Sequence, residues 1–156
     1  MTKSAGLLMY RRVQGSLMVL LAHPGGPFWA GKDAGAWTLP KGEYEPPEEA
    51  LAAAMREFRE ETGFDPVPPF LPLGEVRLKS GKRISAWAFE GDCVAQDLRS
   101  NTFEMEWPPR SGKRQAYAEI DRAGWFTLDE ARGKLNAAQS AFLPRLAAAL
   151  NGDAAA

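Results

Sequence analysis

Three glutamates, Glu57, Glu60 and Glu61, stand at i, i+3 and i+4 in a stretch free of helix breakers from residue 47 to residue 61. On a helix this spacing throws all three carboxylates to one side, within a few ångströms of each other. Like charges so close repel, and the cost is removed if hard divalent cations occupy the site. Mg²⁺ and Mn²⁺ prefer oxygen ligands, and Mg²⁺ is commonly shared with substrate phosphates. Arg56 lies four residues before Glu60, near enough to orient a carboxylate by charge-assisted hydrogen bonds, with substrate contact as a second role. Gly42 offers a backbone that can come close where a side chain would obstruct, and a carbonyl that could complete a metal shell.

These residues need a helix to carry them. Pro46-Pro47 suits a helix entry, Gly63 fits the C-terminal capping position, and Leu51, Ala54, Met55 and Phe58 make an apolar stripe beside the acidic face. The spacing therefore predicts a helix over 47–61. Upstream, Ser4–Val13 and Ser16–His23 are apolar segments about a Gln14-Gly15 turn, and Trp37–Leu39 is a short third strand halted by Pro40, with a loop beginning at Lys41-Gly42. The Gly- and Pro-rich stretch 24–36, which carries Phe28 and Trp29, is loop chemistry. Downstream, the prolines from Pro66 to Pro72 mark a linker. Strands follow over 74–78 and 83–90 about Ser80-Gly81, then a polar irregular stretch over 95–115. A strand over 123–128, a helix over 129–135 and a helix over 137–150, kinked or divided by Pro144, complete the order βββαβββαα. Such an order implies a mixed α/β fold with helices packed on a sheet.

The length of 156 residues suits one domain, taken here as 1–151 with a frayed tail at 152–156. A composition of 45% hydrophobic and 25% charged residues excludes disorder as the overall state. Nineteen basic against twenty acidic residues give a net charge of -1, so no basic field exists to hold duplex nucleic acid or an anionic membrane. One cysteine and one histidine exclude an intrachain disulfide, a Cys-rich zinc site and a His-based metal cluster. The N-terminal apolar runs fall far short of the ~20 residues that span a bilayer, and no signal peptide is read. The expectation is a cytoplasmic protein, with the N-terminal segments leaving room for a homodimer.

Taken together, Gly42, Glu48, Arg56, Glu57, Phe58, Glu60, Glu61, Gly63 and Phe64 satisfy G-x5-E-x7-R-E-U-x-E-E-x-G-U, with U an apolar residue. Chance would produce all nine positions in a chain of this size with a likelihood on the order of one in ten million. The sequence thereby resembles the Nudix hydrolase family, of the bacterial, mutator-type pyrophosphohydrolase kind, without a departure inside the motif. A weaker similarity extends to Trp37–Gly42 and Trp125-Phe126. The resemblance implies an α/β/α sandwich around a mixed β-sheet. It also implies a Mg²⁺- or Mn²⁺-dependent hydrolase that breaks a phosphoanhydride in a nucleoside diphosphate linked to another moiety. By position, Glu60, Glu61 and the Gly42 carbonyl would be metal ligands, Glu57 a ligand or the base that orients water, and Glu48 and Arg56 supporting members. Some members add a glutamate from beyond the motif, for which Glu104 and Glu106 are the candidates here.

Residues that could choose the substrate lie outside the motif. Lys41 could meet a phosphate as a point charge. The basic runs Arg77, Lys79, Lys82, Arg83 and Arg110, Lys113, Arg114 could pair with a long polyphosphate. Trp29 and Trp107, set in Gly- and Pro-containing loops, could stack on a base. His23 is expected to be structural. The basic runs and the acidic loop over 104–106 favour a nucleoside triphosphate or a dinucleoside polyphosphate. The competing expectation is a catalytically weak domain that uses the same pocket as a nucleotide sensor.

Overall fold

In the computed structural model, which describes residues 3–155 with the side chains of 152–155 outside the description, strands β1 (Lys3–Val13) and β2 (Ser16–Pro24) form the first hairpin. Its turn is Gln14-Gly15, both with positive φ. β3 (Lys41–Tyr44), α1 (Ala50–Thr62), β4 (Leu71–Arg77), β5 (Arg83–Glu90), β6 (Thr102–Glu106), β7 (Arg114–Ala118) and β8 (Ile120–Thr127) follow, then α2 (Leu128–Lys134) and α3 (Phe142–Ala155). The main sheet runs β4-β5-β1-β2-β8, and β3 also pairs with β1. β1 and β5 are parallel while the other pairs are antiparallel, so the sheet is mixed as expected.

Period-two alternation sorts the central strands into two faces. Ala5, Leu7 and Met9 of β1 pack with Ala53, Ala54 and Phe58 of α1, whereas Leu8 and Tyr10 share the opposite core with Ala131, Phe142, Leu143 and Leu146. The two helical layers enclose the sheet, which is the α/β/α sandwich. No helix among the described residues is long and apolar enough to cross a membrane.

Several elements differ from the sequence expectation. Trp37 and Thr38 make only isolated bridges, to Leu135 and Ala22, and the third strand is Lys41–Tyr44, where a loop was expected. β2 pairs with β1 only from Tyr10 to Val13, so the first half of that edge, Lys3–Gly6, is open to β3, whose polar sequence conceals the pairing. α1 begins at Ala50 rather than at residue 47, with Glu49 as its extended N-terminal cap. Gly63 closes it as expected in the left-handed conformation at φ 79°, with its N–H donating to the Arg59 carbonyl at 2.8 Å. β4 starts inside the expected linker, at Leu71, because Pro72 is tolerated on an edge strand. The stretch 95–115, expected to be irregular, contains a 3₁₀ turn at Ala95–Asp97 and the β6–β7 ribbon. The last helical segment is divided before Pro144 rather than at it: Ala137–Ala141 is a 3₁₀ turn, and Pro144 falls in the first turn of α3, where its missing N–H costs no hydrogen bond.

Candidate active site

α1 is pressed against β1 and β5 by its apolar stripe, beside β3. Ala54 and Phe58 are fully buried, Leu51 and Met55 pack beside them, and Phe58 meets Phe89 edge-on at 5.3 Å. This docking lays the acidic face of the helix over the strand that carries Gly42. A Cβ built on Gly42 would lie 1.9 Å from Cδ of Glu57, so only glycine leaves room for that carboxylate.

Arg56 organises the acidic face. Its Nε and Nη2 donate to the two oxygens of Glu48 at 2.8 and 3.0 Å, a bidentate pair, and its Nη1 donates to Glu57 Oε1 at 2.8 Å and to Glu60 Oε2 at 3.4 Å. The guanidinium holds the Glu48 carboxyl below its usual range. Burial pushes the Glu57 carboxyl up, with Arg56 pulling the other way. Glu61 turns elsewhere and accepts the Lys41 backbone N–H at 3.2 Å. Burial is the main cause of its carboxyl being pushed up to about 8, against the opposing pull of the Lys41 amide and ammonium. Burial likewise lowers the Lys41 ammonium, which Glu61 counteracts.

Lys41 and Glu61 open into a cleft of about 290 Å³ whose wall includes Trp29, Thr38, Glu119 and Asn136. The expected site residues Gly42, Glu48, Arg56, Glu57, Glu60 and Glu61 are thus one connected group, with Lys41 and Trp29 beside it. Glu104, Glu106, Trp107 and Arg114 lie on the β6–β7 ribbon and make their contacts there. Arg114 Nε is 3.9 Å from Glu104, Glu106 accepts the Arg110 N–H at 2.7 Å, and the Trp107 N–H donates to the Lys113 carbonyl at 3.0 Å. Arg83 pairs with Glu75 at 3.4 Å. None of these five residues lines the cleft.

Glu119 is the acidic residue that the sequence did not reveal. It sits in the link between β7 and β8, lines the cleft, and adds a negative charge that raises both Glu57 and Glu61. Its backbone is fixed, since its carbonyl accepts the Gly25 N–H at 2.9 Å and its N–H donates to the Asn101 carbonyl at 2.9 Å. No motif surrounds it, and no spacing rule ties position 119 to the helix.

The loop bearing Trp29 is anchored by His23, which is fully buried. The Lys32 carbonyl can only accept, so His23 Nε2–H donates to it, at 2.6 Å, while Nδ1 meets the Asp121 carboxylate at 2.8 Å. The histidine is structural, as expected.

Among the described residues, no group of three or more His, Cys, Asp or Glu side chains is gathered closely enough to hold a metal ion. The cause is visible in the hydrogen bonds: Arg56 draws Glu57 and Glu60 to itself, and Glu61 points to the Lys41 amide. The donor chemistry nevertheless suits a hard divalent cation. All the donors are oxygens, and Gly42 leaves open the space that a Cβ would fill between strand and carboxylate.

A layered mixed sheet with this arginine-bound glutamate helix defines a Nudix domain. The NUDIX domain model matches residues 2–146, and the chain belongs to the Nudix family of hydrolases, enzymes that cleave pyrophosphate bonds. Among solved structures it is similar to an Ap4A hydrolase of C. elegans in a binary complex, at 21% identity over 96% of this chain and 98% of that one, with a TM-score of 0.67. The NUDIX domain of Shewanella oneidensis NrtR, complexed with ADP ribose, is 17% identical over 95% and 87% of the two chains, with a TM-score of 0.66. A MutT protein from Methanosarcina mazei is 24% identical over 94% and 92%, with a TM-score of 0.58. At these identities the likeness is one of fold.

Proposed function

We propose that this Nudix hydrolase is a divalent-metal-dependent pyrophosphohydrolase cleaving a phosphoanhydride bond of a nucleoside diphosphate linked to another moiety, with nucleoside triphosphates and dinucleoside polyphosphates as the favoured substrates. The observation that carries this reading is the Arg56 network, which binds Glu48, Glu57 and Glu60 into one acidic surface beside the Lys41–Glu61 cleft. Glu60, Glu61 and the Gly42 carbonyl would hold Mg²⁺ or Mn²⁺, with Glu57 either a further ligand or the base. When bound, such an ion neutralises polyphosphate charge and lowers the pKa of water.

The remaining roles fall to the chain itself. The Lys41 ammonium meets a phosphate oxygen, and Trp29 stacks on the base. Water attacks phosphorus, its proton passes to the carboxylate of Glu57 or of Glu119, and the anhydride oxygen leaves with the bonding electrons on the departing phosphate. Arg56 keeps Glu57 oriented from one oxygen and leaves the other free for that proton. The C. elegans neighbour, named as an Ap4A hydrolase, supports the dinucleoside polyphosphate part of that range.

A second reading, a nucleotide sensor with weak turnover, is favoured by the dispersed carboxylates and by the S. oneidensis neighbour complexed with ADP ribose. Assaying phosphate or nucleoside monophosphate release from nucleoside triphosphates, dinucleoside polyphosphates, ADP-ribose and diphosphoinositols, with Mg²⁺ and with chelator, separates the two. Metal-dependent turnover of at least one class supports the hydrolase. Tight binding with no turnover of any class leaves the sensor.

A further inference from the structure

The sequence places four basic residues on the β4–β5 hairpin, and the structure divides them into two kinds. Lys82 Nζ pairs with Glu43 at 2.5 Å and Arg83 pairs with Glu75 at 3.4 Å, so both charges are compensated within the protein. Arg77 and Lys79 have no ion pair or hydrogen-bonding side-chain partner among the described residues. Both line a recess of about 800 Å³, whose other walls include Leu78, Ser80, Asn136 and Ala137. This recess and the Lys41–Glu61 cleft share Gly35, Leu78 and Asn136 in their walls, so the two adjoin. The hairpin turn is built firmly: the Leu78 N–H donates to the Lys82 carbonyl at 2.8 Å, the Gly81 N–H to the Leu78 carbonyl at 2.9 Å, and the Lys82 N–H to Ser80 Oγ at 3.3 Å.

We infer that this recess is a second nucleotide subsite, in which Arg77 and Lys79 bind the distal phosphorylated nucleoside of a dinucleoside polyphosphate. This rests on the hydrolase reading for the cleft it adjoins. The lining fits that occupant. Two uncompensated cations face phosphate, and Leu78 and Ala137 offer an apolar surface for a base or ribose. The volume is within the range that holds a nucleotide-sized ligand. A nucleoside triphosphate has phosphates at one end only and carries no second nucleoside to place in the recess. The subsite therefore discriminates between the two substrate classes that the metal site alone does not separate.

The test compares binding of a methylene-bridged, non-hydrolysable dinucleoside tetraphosphate and a non-hydrolysable nucleoside triphosphate, both with Mg²⁺, by calorimetry. The proteins are wild type, the double variant Arg77→Ala/Lys79→Ala, and the charge-preserving Arg77→Lys/Lys79→Arg. The Ala variant is expected to lose about tenfold or more in affinity for the dinucleoside ligand while changing less than about twofold for the triphosphate. The charge-preserving variant should recover most of the loss. Equal losses for both ligands, or no loss for either, overturn the subsite. Turnover by the same wild-type protein is a separate readout, so failure of the hydrolase reading is distinguishable from failure of the subsite.

Discussion

Gly42 and Glu57 form the tightest constraint in the site, because the strand residue has no side chain where the helix residue has its carboxylate. An added methyl would lie 1.9 Å from Glu57 Cδ, and a flexible side chain yields more readily than the strand. Gly42→Ala is therefore expected to displace Glu57 without unfolding the protein. Steady-state kinetics should show kcat lowered about 100-fold, with a nearly unchanged melting temperature. Glu61 gives a pH signature. Burial raises its carboxyl from an ordinary value of 4.5 to about 8, so between those values the folded chain binds a proton that the unfolded chain releases. Its contribution to stability is complete below about pH 4.5 and lost as pH rises through about 8. In chelator, wild type is expected to melt at a lower temperature at pH 9 than at pH 6, and Glu61→Gln should show a smaller decline. An equal decline in both proteins would remove Glu61 as the cause.

At the scale of elements, α1 is where apolar and acidic patterning coincide. Its stripe and its glycine cap were legible in the sequence because 3.6-residue periodicity and a left-handed terminus leave residue-type signals. Phe58 holds that helix on the sheet through Phe89. Phe58→Ala is expected to destabilise the fold by about 3–5 kcal/mol in chemical denaturation. Activity should fall as well, since the acidic face moves with the helix. β3 and the β6–β7 ribbon escaped notice for the opposite reason. Lys41–Tyr44 has no apolar pattern and is a strand because β1 offers it an open edge. β6 alternates exposed and partly buried residues without any fully buried one, so its sequence lacks the strong alternation of a strand packed on a core.

At the scale of the whole molecule, the cleft gathers Trp29, Lys41, Glu61, Glu119 and Asn136 from five separate parts of the chain. The motif between Gly42 and Phe64 was readable because its members are near neighbours in sequence, and Lys41 and Trp29 line the cleft beside it. Glu119 was not readable, because its position depends on the fold of β7, β8 and the Gly25 backbone rather than on any local spacing. Glu104 and Glu106, the candidates from beyond the motif, lie on a ribbon where their carboxylates bond within the ribbon. The most direct measurement is the rate of nucleoside monophosphate release from a dinucleoside tetraphosphate with Mg²⁺, for wild type, Glu60→Gln and Glu61→Gln. Turnover in wild type that stops in chelator and falls at least about 100-fold in both variants is the expected result. Turnover that persists in chelator, or that both variants retain at the wild-type rate, would contradict a metal-dependent hydrolase built on this helix.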